Sequence, residues 1–219
     1  MRPKKNPGIA VALIAAVVAL IAGAQDTDSP GRFVRDAAER LLSEVEDRKR
    51  ELKEHPERVQ EVVRRILLPV VDVVGAARWV MGKYWHRSTP EQRERFATEF
   101  TDLLIRSYSA PLVDYTDVKI SVRDTQRSQD GRQAIVRTTI APGDREPINV
   151  DFRLHGRSGE WKVYDVMVEG VSALVNFRTA YYEYIARWGV DGLIERLAEK
   201  NRIGAYADEE LAPGTGPAQ

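Results

Sequence analysis

Residues 161–201 read WKVYDVMVEGVSALVNFRTAYYEYIARWGVDGLIERLAEKN, and this stretch decides the fold. Its first nine residues carry apolar side chains on both faces of a strand, so neither face suits water. Gly170 then permits a turn, and apolar residues recur beyond it at helical spacing. The pattern predicts a strand that is covered on both sides, followed by a helix that folds back on the sheet. The apolar stripe of this helix consists of Leu174, Phe177, Tyr181 and Ile185.

Strict alternation along the strand places Asp165 on the same face as Trp161 and Val163. A carboxylate among apolar side chains could act as a general base on a small hydrophobic substrate, because burial raises a carboxyl pKa. The structural alternative is a partner for a basic residue such as Arg178, or for backbone donors at Gly170. Since no second polar group is placed to stabilise an oxyanion, the structural interpretation is favoured.

A period of two runs through the residues before this stretch and marks a sheet. Apolar residues alternate with polar ones from Val118 onward, and turn residues at 129–131, 142–144 and 158–159 separate the strands. Because these connections are short, the strands form an antiparallel meander. We therefore predict a curved four-stranded antiparallel sheet over residues 116–169.

Helical periodicity precedes the sheet and predicts an N-terminal helical lobe. A first helix is predicted over residues 33–54, with Pro30 near its start. A second begins at Pro56 and ends or kinks at Pro69, and a third covers residues 70–83.

A further helix start is marked by Thr-Pro-Glu-Gln at residues 89–92, which combines an N-cap residue, a proline and an early acidic residue. A short last helix is predicted around residues 193–197. Together these patterns predict an α+β fold, in which helices pack on the sheet and enclose an apolar pocket. The stripe of the helix that starts at residues 89–92 consists of Phe96, Phe100, Leu103, Leu104 and Tyr108.

Two separated segments of the chain resemble the MlaC family. The first is VYDVMVEGVSALVNFR at residues 163–178, followed by GVDGLIERLAEKN at residues 189–201. The second is MGKYWHRSTPEQRERFATEFTDLLIRSY at residues 81–108, where the family usually carries Leu-Gly-x-Tyr-Trp, a Thr-Pro-Glu-Gln cap and F-x-x-x-F-x-x-L-L. A weaker Leu-Pro-x-x-Asp match lies at residues 68–72, although Val70 and Val71 stand where the family often has a His and an aromatic residue.

The resemblance implies a function without covalent chemistry. MlaC proteins, also called toluene-tolerance proteins, are periplasmic phospholipid-binding components of the Mla lipid-transport system, which maintains outer-membrane lipid asymmetry. The resemblance therefore implies a carrier that holds phospholipid acyl tails in an apolar pocket and leaves the headgroup near solvent. It also implies two partners, an inner-membrane MCE-domain protein of an ABC transporter and an outer-membrane lipoprotein complex. A small pocket enzyme using Asp165 and a scaffolding envelope protein remain the alternative hypotheses.

The apolar faces of the predicted elements supply candidate lipid-binding residues. Periodicity identifies a face that points inward, but it does not distinguish a filled interior from a hollow one. Ordinary core packing is thus the competing interpretation for each of them. The candidates are Phe100, Leu104, Tyr108, Val136, Val150, Phe152, Val163, Val166, Leu174, Phe177, Tyr181 and Ile185.

The N-terminus predicts export. Three basic residues precede an apolar run over residues 9–22, which ends in a small-x-small pattern at residues 22–24. We predict a signal peptide over residues 1–24, cleaved before Gln25, and a periplasmic location. An uncleaved membrane anchor is the alternative, but the run is shorter than the roughly 20 residues that a spanning helix needs.

Charge and composition exclude several other functions. The chain has 33 basic and 33 acidic residues, and removal of the predicted signal peptide leaves 30 basic and 33 acidic ones. This balance argues against nucleic-acid binding, which normally shows a basic surplus. With no cysteine in the chain, neither a lipobox nor a disulfide is available, so a core of ordinary size must stabilise it.

No motif for a cofactor or a metal is present in the sequence. The three histidines, His55, His86 and His155, lack metal-ligand spacing, and neither a Gly-x-Ser-x-Gly elbow nor a phosphate-binding loop occurs. We predict no catalytic residue, no metal and no cofactor. The predicted organisation is one MlaC-like domain over residues 25–205, helical again over residues 170–202, and a disordered tail from residue 206.

Overall fold

The computed structural model describes residues 29–109, 112–113, 118–143, 146–157 and 160–204. The predicted signal peptide and the predicted C-terminal tail lie outside these residues. The helices of the described residues are α1 Pro30–Asp47, α2 Lys49–Glu54, α3 Pro56–Leu67, α4 Val73–Met81, α5 Lys83–Arg87, α6 Pro90–Ser109 and α7 Ala173–Ile203. The strands are β1 Val118–Arg127, β2 Gln133–Pro142, β3 Ile148–Arg157, β4 Glu160–Val168 and β5 Val171–Ser172.

The single helix predicted over residues 33–54 is in fact two helices, which meet at Arg48. Residues 46–51 contain no apolar side chain that could hold a continuous helix on the core. The guanidinium of Arg48 instead donates hydrogen bonds to the carboxylates of Glu44 and Glu51, at 3.2 and 3.0 Å. The predicted start is confirmed, since α1 begins at Pro30.

The third predicted helix, over residues 70–83, is also interrupted. Pro69 lies in a short 3-10 helix, Leu68–Val70, and α4 begins only after Asp72, whose carboxylate accepts the backbone N–H of Gly75 at 2.8 Å. Gly82 ends α4 with a φ of 49°, a left-handed conformation that favours glycine.

The helix start predicted at residues 89–92 is confirmed in detail. Thr89 Oγ1 accepts the backbone N–H of Gln92 at 3.2 Å, while Gln92 Oε1 accepts the backbone N–H of Thr89 at 3.0 Å. This reciprocal arrangement is a capping box, with glutamine in the position often held by glutamate. It fixes the first turn of α6, the helix that carries Phe96 and Phe100.

The sheet is an antiparallel meander with the strand order β1-β2-β3-β4-β5. The prediction of four strands missed β5, a two-residue strand that pairs with the end of β4. Glu169 and Gly170 form the turn between them, with φ values of 47° and 79°. Gly170 therefore closes a tight hairpin, and α7 begins three residues later.

Two bulges reassign side chains between the faces of the sheet. In β4, Asp165 pairs with Arg153 while Val163 pairs with Leu154, so Tyr164 is an inserted residue. In β1, a similar shift makes Arg123 the inserted residue. Because each insertion reverses the alternation, residues beyond a bulge point to the opposite face from the one that strict alternation predicts.

The chain divides into two compact units. The first, which we call the sheet unit, contains α1 to α3 and all five strands; α1 packs on β1 and β2. The second, which we call the helical unit, consists of Asp72–Ser107 and the chain from Ala173, and in it α4 packs on α7. The long segment α7 is kinked at Gly189, where φ is 73° and ψ is 177°.

Candidate functional site

The sheet unit has one apolar face that gathers five of the predicted lipid-binding residues. Val136 of β2 pairs with Phe152 of β3, which in turn pairs with Val166 of β4. Val150 pairs with Val168 on the same face, and Val163 pairs with Leu154. Strict alternation had separated Val163 from Val166, and the bulge at Tyr164 is what places both on this face.

Burial distinguishes two groups on this apolar face. Val136 and Val150 are 0% exposed and Phe152 is 6% exposed, as expected of core residues. Val163 and Val166 on β4 are only half-buried, so part of their apolar surface remains free. Among the predicted residues of the sheet, these two are the ones that still have surface for a ligand.

The helical unit gathers three more predicted residues in an aromatic cluster. The rings of Phe100 and Phe177 meet edge to face at 5.2 Å between centroids, and Tyr181 lies 5.9 Å from Phe100 and 5.8 Å from Phe177. Phe96 stacks on Phe100 at 5.6 Å. Edge-to-face and offset contacts at these distances stabilise a core beyond simple area burial.

The remaining predicted residues fall on the same two helices. Leu174 and Ile185 of α7 are buried, whereas Leu104 of α6 is half-buried. Tyr108, near the end of α6, is half-buried and belongs to the sheet unit. In the aromatic cluster of the helical unit, Phe177 is the one predicted residue that is half-buried, and the other predicted members are buried. Lipid contact by these residues stays a prediction.

Asp165 does not lie where strict alternation placed it. Beyond the bulge it points to the face opposite Val163, and there its carboxylate accepts hydrogen bonds from Ser172 Oγ at 2.8 Å and from the Arg153 guanidinium at 3.3 Å. The basic partner is thus Arg153, whereas Arg178 lies against aromatic rings. These contacts support the structural interpretation of Asp165 over that of a general base.

The same face carries further charge pairs across the strands. Arg137 of β2 lies 2.7 Å from Asp124 and 4.0 Å from Asp151, and Arg123 approaches Asp151 at 3.7 Å. Burial raises the pKa of the Asp151 carboxyl above its ordinary value, because desolvation outweighs the attraction of Arg123, Arg137 and Arg153. One face of the sheet is therefore apolar and the other is charged and internally paired.

Each histidine has a local setting that differs from a metal site. His55 Nδ1 lies 3.3 Å from Glu57, the His155 ring stacks on Tyr164 at 5.9 Å, and His86 is exposed on α5. Within the described part of the chain, no three His, Cys, Asp or Glu side chains come together as metal ligands. In the same residues no helix is both long and apolar enough to cross a membrane.

The candidates omit several buried residues of the apolar face, three of them on β3 and β4. Leu154, Trp161 and Val168 are buried there, with exposed fractions of 0, 8 and 7%. Leu154 alternates with polar residues in its strand, so it could have been chosen by the alternation alone. Val168 lies two residues beyond Val166 on the same strand, so the alternation that selected Val166 applies to Val168 as well.

Comparison with known proteins gives consistent results. A family model described as "MlaC protein" matches residues 35–199. The chain is 30% identical over 174 residues to the intermembrane phospholipid transport system binding protein MlaC of Haemophilus influenzae, covering 78% of this chain and 81% of that protein. It is 32% identical over 180 residues to the toluene tolerance protein ttg2D of Pseudomonas putida, covering 82% of each.

A solved structure extends the similarity to three dimensions. It is that of a phospholipid-binding protein from Ralstonia solanacearum in complex with a phospholipid, and it matches with a TM-score of 0.74 and 25% sequence identity. The match covers 80% of this chain and 98% of that one. A family model over most of the chain, two relatives aligned over most of their length and a shared fold lead to one conclusion: the chain belongs to the MlaC family.

Proposed function

We propose that this protein is a periplasmic phospholipid carrier, the soluble component of an Mla-type ABC transport system that moves phospholipids between the inner and outer membranes. The observation that carries the proposal is the similarity of fold to a protein solved in complex with a phospholipid. The two relatives, one named for phospholipid transport and one for toluene tolerance, support the same function.

The proposal includes the route and the partners of the carrier. The chain is exported with a signal peptide that is cleaved before Gln25. It receives or delivers lipid at an inner-membrane MCE-domain protein of the ABC transporter and at an outer-membrane lipoprotein complex. It performs no covalent chemistry, and the transporter supplies the energy that sets the direction of transport.

The energetics explain why such a carrier is needed. Exposing one acyl tail of about fifteen methylenes to water costs roughly 12 kcal/mol, at about 0.8 kcal/mol per methylene. Apolar protein surface offsets this cost during the passage through water. Because a bilayer and the protein surface are both apolar, transfer between them is nearly balanced, so the protein can both take up and release a lipid.

The half-buried apolar side chains are the best candidates for contact with acyl tails. In the sheet unit these are Val163 and Val166, which border the buried Phe152. In the helical unit they are Leu104 and Phe177. Their fully buried neighbours support them as core residues, since close-packed interiors hold such side chains in fixed rotamers.

The first experiment looks for the ligand itself. The mature chain from Gln25 is purified and denatured, and the released material is analysed by mass spectrometry. We expect phospholipid with mixed headgroups, together with uptake of labelled phospholipid from liposomes by the lipid-free protein. Repeated absence of bound lipid, with no uptake from liposomes, contradicts the proposal.

A matched pair of variants tests the location of the site. Val166 and Met167 are adjacent in β4 and both half-buried, but Val166 lies on the apolar face and Met167 pairs with Asp151 on the charged face. We expect Val166→Gln to weaken phospholipid uptake by about tenfold, because an amide must be buried against acyl tails. Met167→Gln should leave uptake close to that of the parent protein. Equal effects of the two substitutions would show that the apolar sheet face is not part of the lipid-binding site.

A further inference from the structure

Five side chains of the helical unit form a group, and none of them is among the candidate lipid-binding residues. We call it the cation–aromatic cluster, and its members are Trp79, Lys83, Tyr84, Arg178 and Tyr182. The guanidinium carbon of Arg178 lies 5.0 Å from the ring centroids of Trp79 and Tyr182. Lys83 Nζ lies 5.1 Å from the Tyr84 centroid and 5.6 Å from that of Tyr182. These distances are typical of cation–π interactions.

The backbone holds the cation–aromatic cluster in place. The Lys83 N–H donates a hydrogen bond of 3.0 Å to the Tyr182 hydroxyl, and the rings of Tyr84 and Tyr182 meet edge to face at 5.1 Å. Gly82 allows this approach, because a Cβ there would lie 2.0 Å from Tyr182 Oη. The side chains are thus ordered before any partner arrives, which reduces the entropy lost on binding.

Basic side chains are in excess in this region, which Asp72 and Glu183 border. Residues 73–88 and 173–182 together carry four basic residues, Arg78, Lys83, Arg87 and Arg178, and no Asp or Glu. Among the residues that the structure describes, none of these four forms an ion pair with a carboxylate. Several arginines elsewhere are ion-paired, for example those at positions 48, 58, 65, 137, 153 and 202.

Exposed apolar side chains lie beside the charged ones. Val74 of α4 is 59% exposed and stands one turn before Arg78, and Val175 of α7 is 45% exposed and stands one turn before Arg178. Trp and Tyr side chains favour the headgroup region of a bilayer, where an apolar ring and a polar tip are both accommodated. Lys and Arg beside them attract anionic headgroups.

We propose that the cation–aromatic cluster, with Val74 and Val175, is a docking surface for an anionic phospholipid bilayer. Arg78, Lys83, Arg87 and Arg178 face lipid phosphates, the aromatic rings occupy the headgroup region, and the two valines reach below it. The surface brings the carrier to a membrane for lipid exchange. This role in exchange rests on the proposed function, whereas binding of the surface to a bilayer does not.

The local charge of the docking surface is positive, whereas the net charge of the whole mature chain is slightly negative. Screening limits the reach of each charge to about 8 Å at physiological ionic strength, so the four cations govern the interaction at contact. The distant acidic residues mainly oppose approach at low salt. Docking is therefore weak, reversible and sensitive to salt, as a carrier that must leave the membrane requires.

The test measures flotation of the mature chain with vesicles of equal parts phosphatidylglycerol and phosphatidylcholine, and with phosphatidylcholine vesicles alone. We expect flotation with the anionic vesicles only, lost as salt rises from about 0.05 M to about 0.5 M. Lys83→Gln combined with Arg87→Gln should lower the partition coefficient by about tenfold. Val74→Ser combined with Val175→Ser should lower it without changing the salt dependence.

Two control variants make the result specific. Arg50→Gln combined with Arg132→Gln removes the same charge from exposed positions of the sheet unit, and Trp188→Ser removes an apolar side chain that is 43% exposed. Neither control should change flotation. Equal losses in the control and the test variants, or equal flotation with neutral vesicles, would overturn the docking surface. So would binding of the chain to an acidic polypeptide but to neither vesicle.

Mass spectrometry of lipid in the recovered protein separates the two proposals. Salt-sensitive flotation without any acquired lipid supports the docking surface and contradicts the carrier function. Acquired lipid without flotation, and without an effect of Lys83→Gln and Arg87→Gln on the rate of acquisition, supports the carrier and contradicts the docking surface.

Discussion

The Tyr182 hydroxyl occupies the space that a side chain at position 82 would need. A Cβ on Gly82 would lie 2.0 Å from Tyr182 Oη and 2.9 Å from Arg178 Nη2, and the φ of 49° is itself unfavourable for other residues. Both contacts belong to side chains held by cation–π interactions, so neither can move without cost. This one glycine therefore sets how closely α4 and α5 approach α7.

We expect Gly82→Ala to lower the free energy of unfolding by about 2 to 3 kcal/mol, measured by urea denaturation. Gly131→Ala is the matched control. Its φ of 68° brings the same backbone strain, but nothing lies within 4 Å of its would-be Cβ, so about 1 kcal/mol is expected. Equal losses at the two positions would show that the contact with Tyr182 contributes nothing.

Asp165 is a second residue whose neighbours decide its role. Its side chain is 1% exposed and is held by Arg153 and Ser172. Asp165→Asn replaces a charged hydrogen-bond acceptor, so we expect unfolding to become easier by about 2 kcal/mol while phospholipid binding stays unchanged. Asp124→Asn, at an ion pair that is mostly exposed, should cost less than about 1 kcal/mol. Loss of lipid binding in Asp165→Asn without loss of stability would argue against a structural role.

At the scale of elements, an ion-pair cluster joins the first three helices. Glu51 of α2 accepts hydrogen bonds from Arg48 at 3.0 Å and also bonds to Arg58 of α3, while Glu44 of α1 bonds to Arg65 of α3 at 2.7 Å. The hydrogen bonds from Arg48 and Arg58 lower the pKa of Glu51 from 4.5 to about 2. The cluster takes the place of the apolar contacts that are missing at the α1–α2 junction.

The depressed pKa predicts how stability depends on pH. A carboxyl group whose pKa is lower in the folded state stabilises the fold above its unfolded pKa, and this contribution is lost as pH falls from about 4.5 to about 2. Glu51→Gln should therefore unfold more easily than the parent near neutral pH, and the difference should vanish near pH 2. Glu54→Gln on the same helix is the control. A difference that is independent of pH, or unaffected by salt, would contradict the prediction.

The sequence predicted the order and type of nearly every element, because proline, capping residues and periodicity act locally. Thr89 and Gln92 form their capping box within one turn, and the helix start could be read from four residues. The bulge at Tyr164 could not be predicted, because the pairing of β4 with β3 decides it. The break at Arg48 was missed although its cause is local, a run of six charged residues at 46–51. Strict alternation has no means of showing that one residue of β4 is unpaired, and so it assigned Asp165 and Val166 to the wrong faces.

The sequence predicted which apolar residues belong to the candidate site, but it did not predict how they are arranged or how deeply each is buried. Apolar periodicity correctly grouped Phe100, Phe177 and Tyr181, because residues four apart share a helix face and aromatic side chains pack together. It could not separate Val136, which is fully buried, from Val166, which is half-buried. That difference depends on which elements cover the sheet, and α1 covers the first two strands.

At the scale of the whole molecule, lipid is expected to act as a stabilising ligand. A ligand that binds only the folded state raises its stability in proportion to the logarithm of its concentration over its dissociation constant, by about 2.7 kcal/mol at a hundredfold excess. Protein stripped of lipid should thus show a lower Tm in calorimetry, and added phospholipid should restore it. Short-chain alcohols at equal mass are the control. An unchanged Tm after complete removal of lipid would contradict binding to the folded state.

The division of the chain has a consequence for its biogenesis. Each unit is assembled from two separate segments, because the chain leaves the sheet unit after Val71, returns at Tyr108 and leaves again after Ser172. A chain synthesised from its N-terminus therefore completes neither unit until most of its length has been made. Until α7 has been made, α4 to α6 lack this packing partner, and the rings of Phe96 and Phe100 are exposed to water. The order of synthesis therefore leaves these rings without their partners from α7 until the last helix has been made.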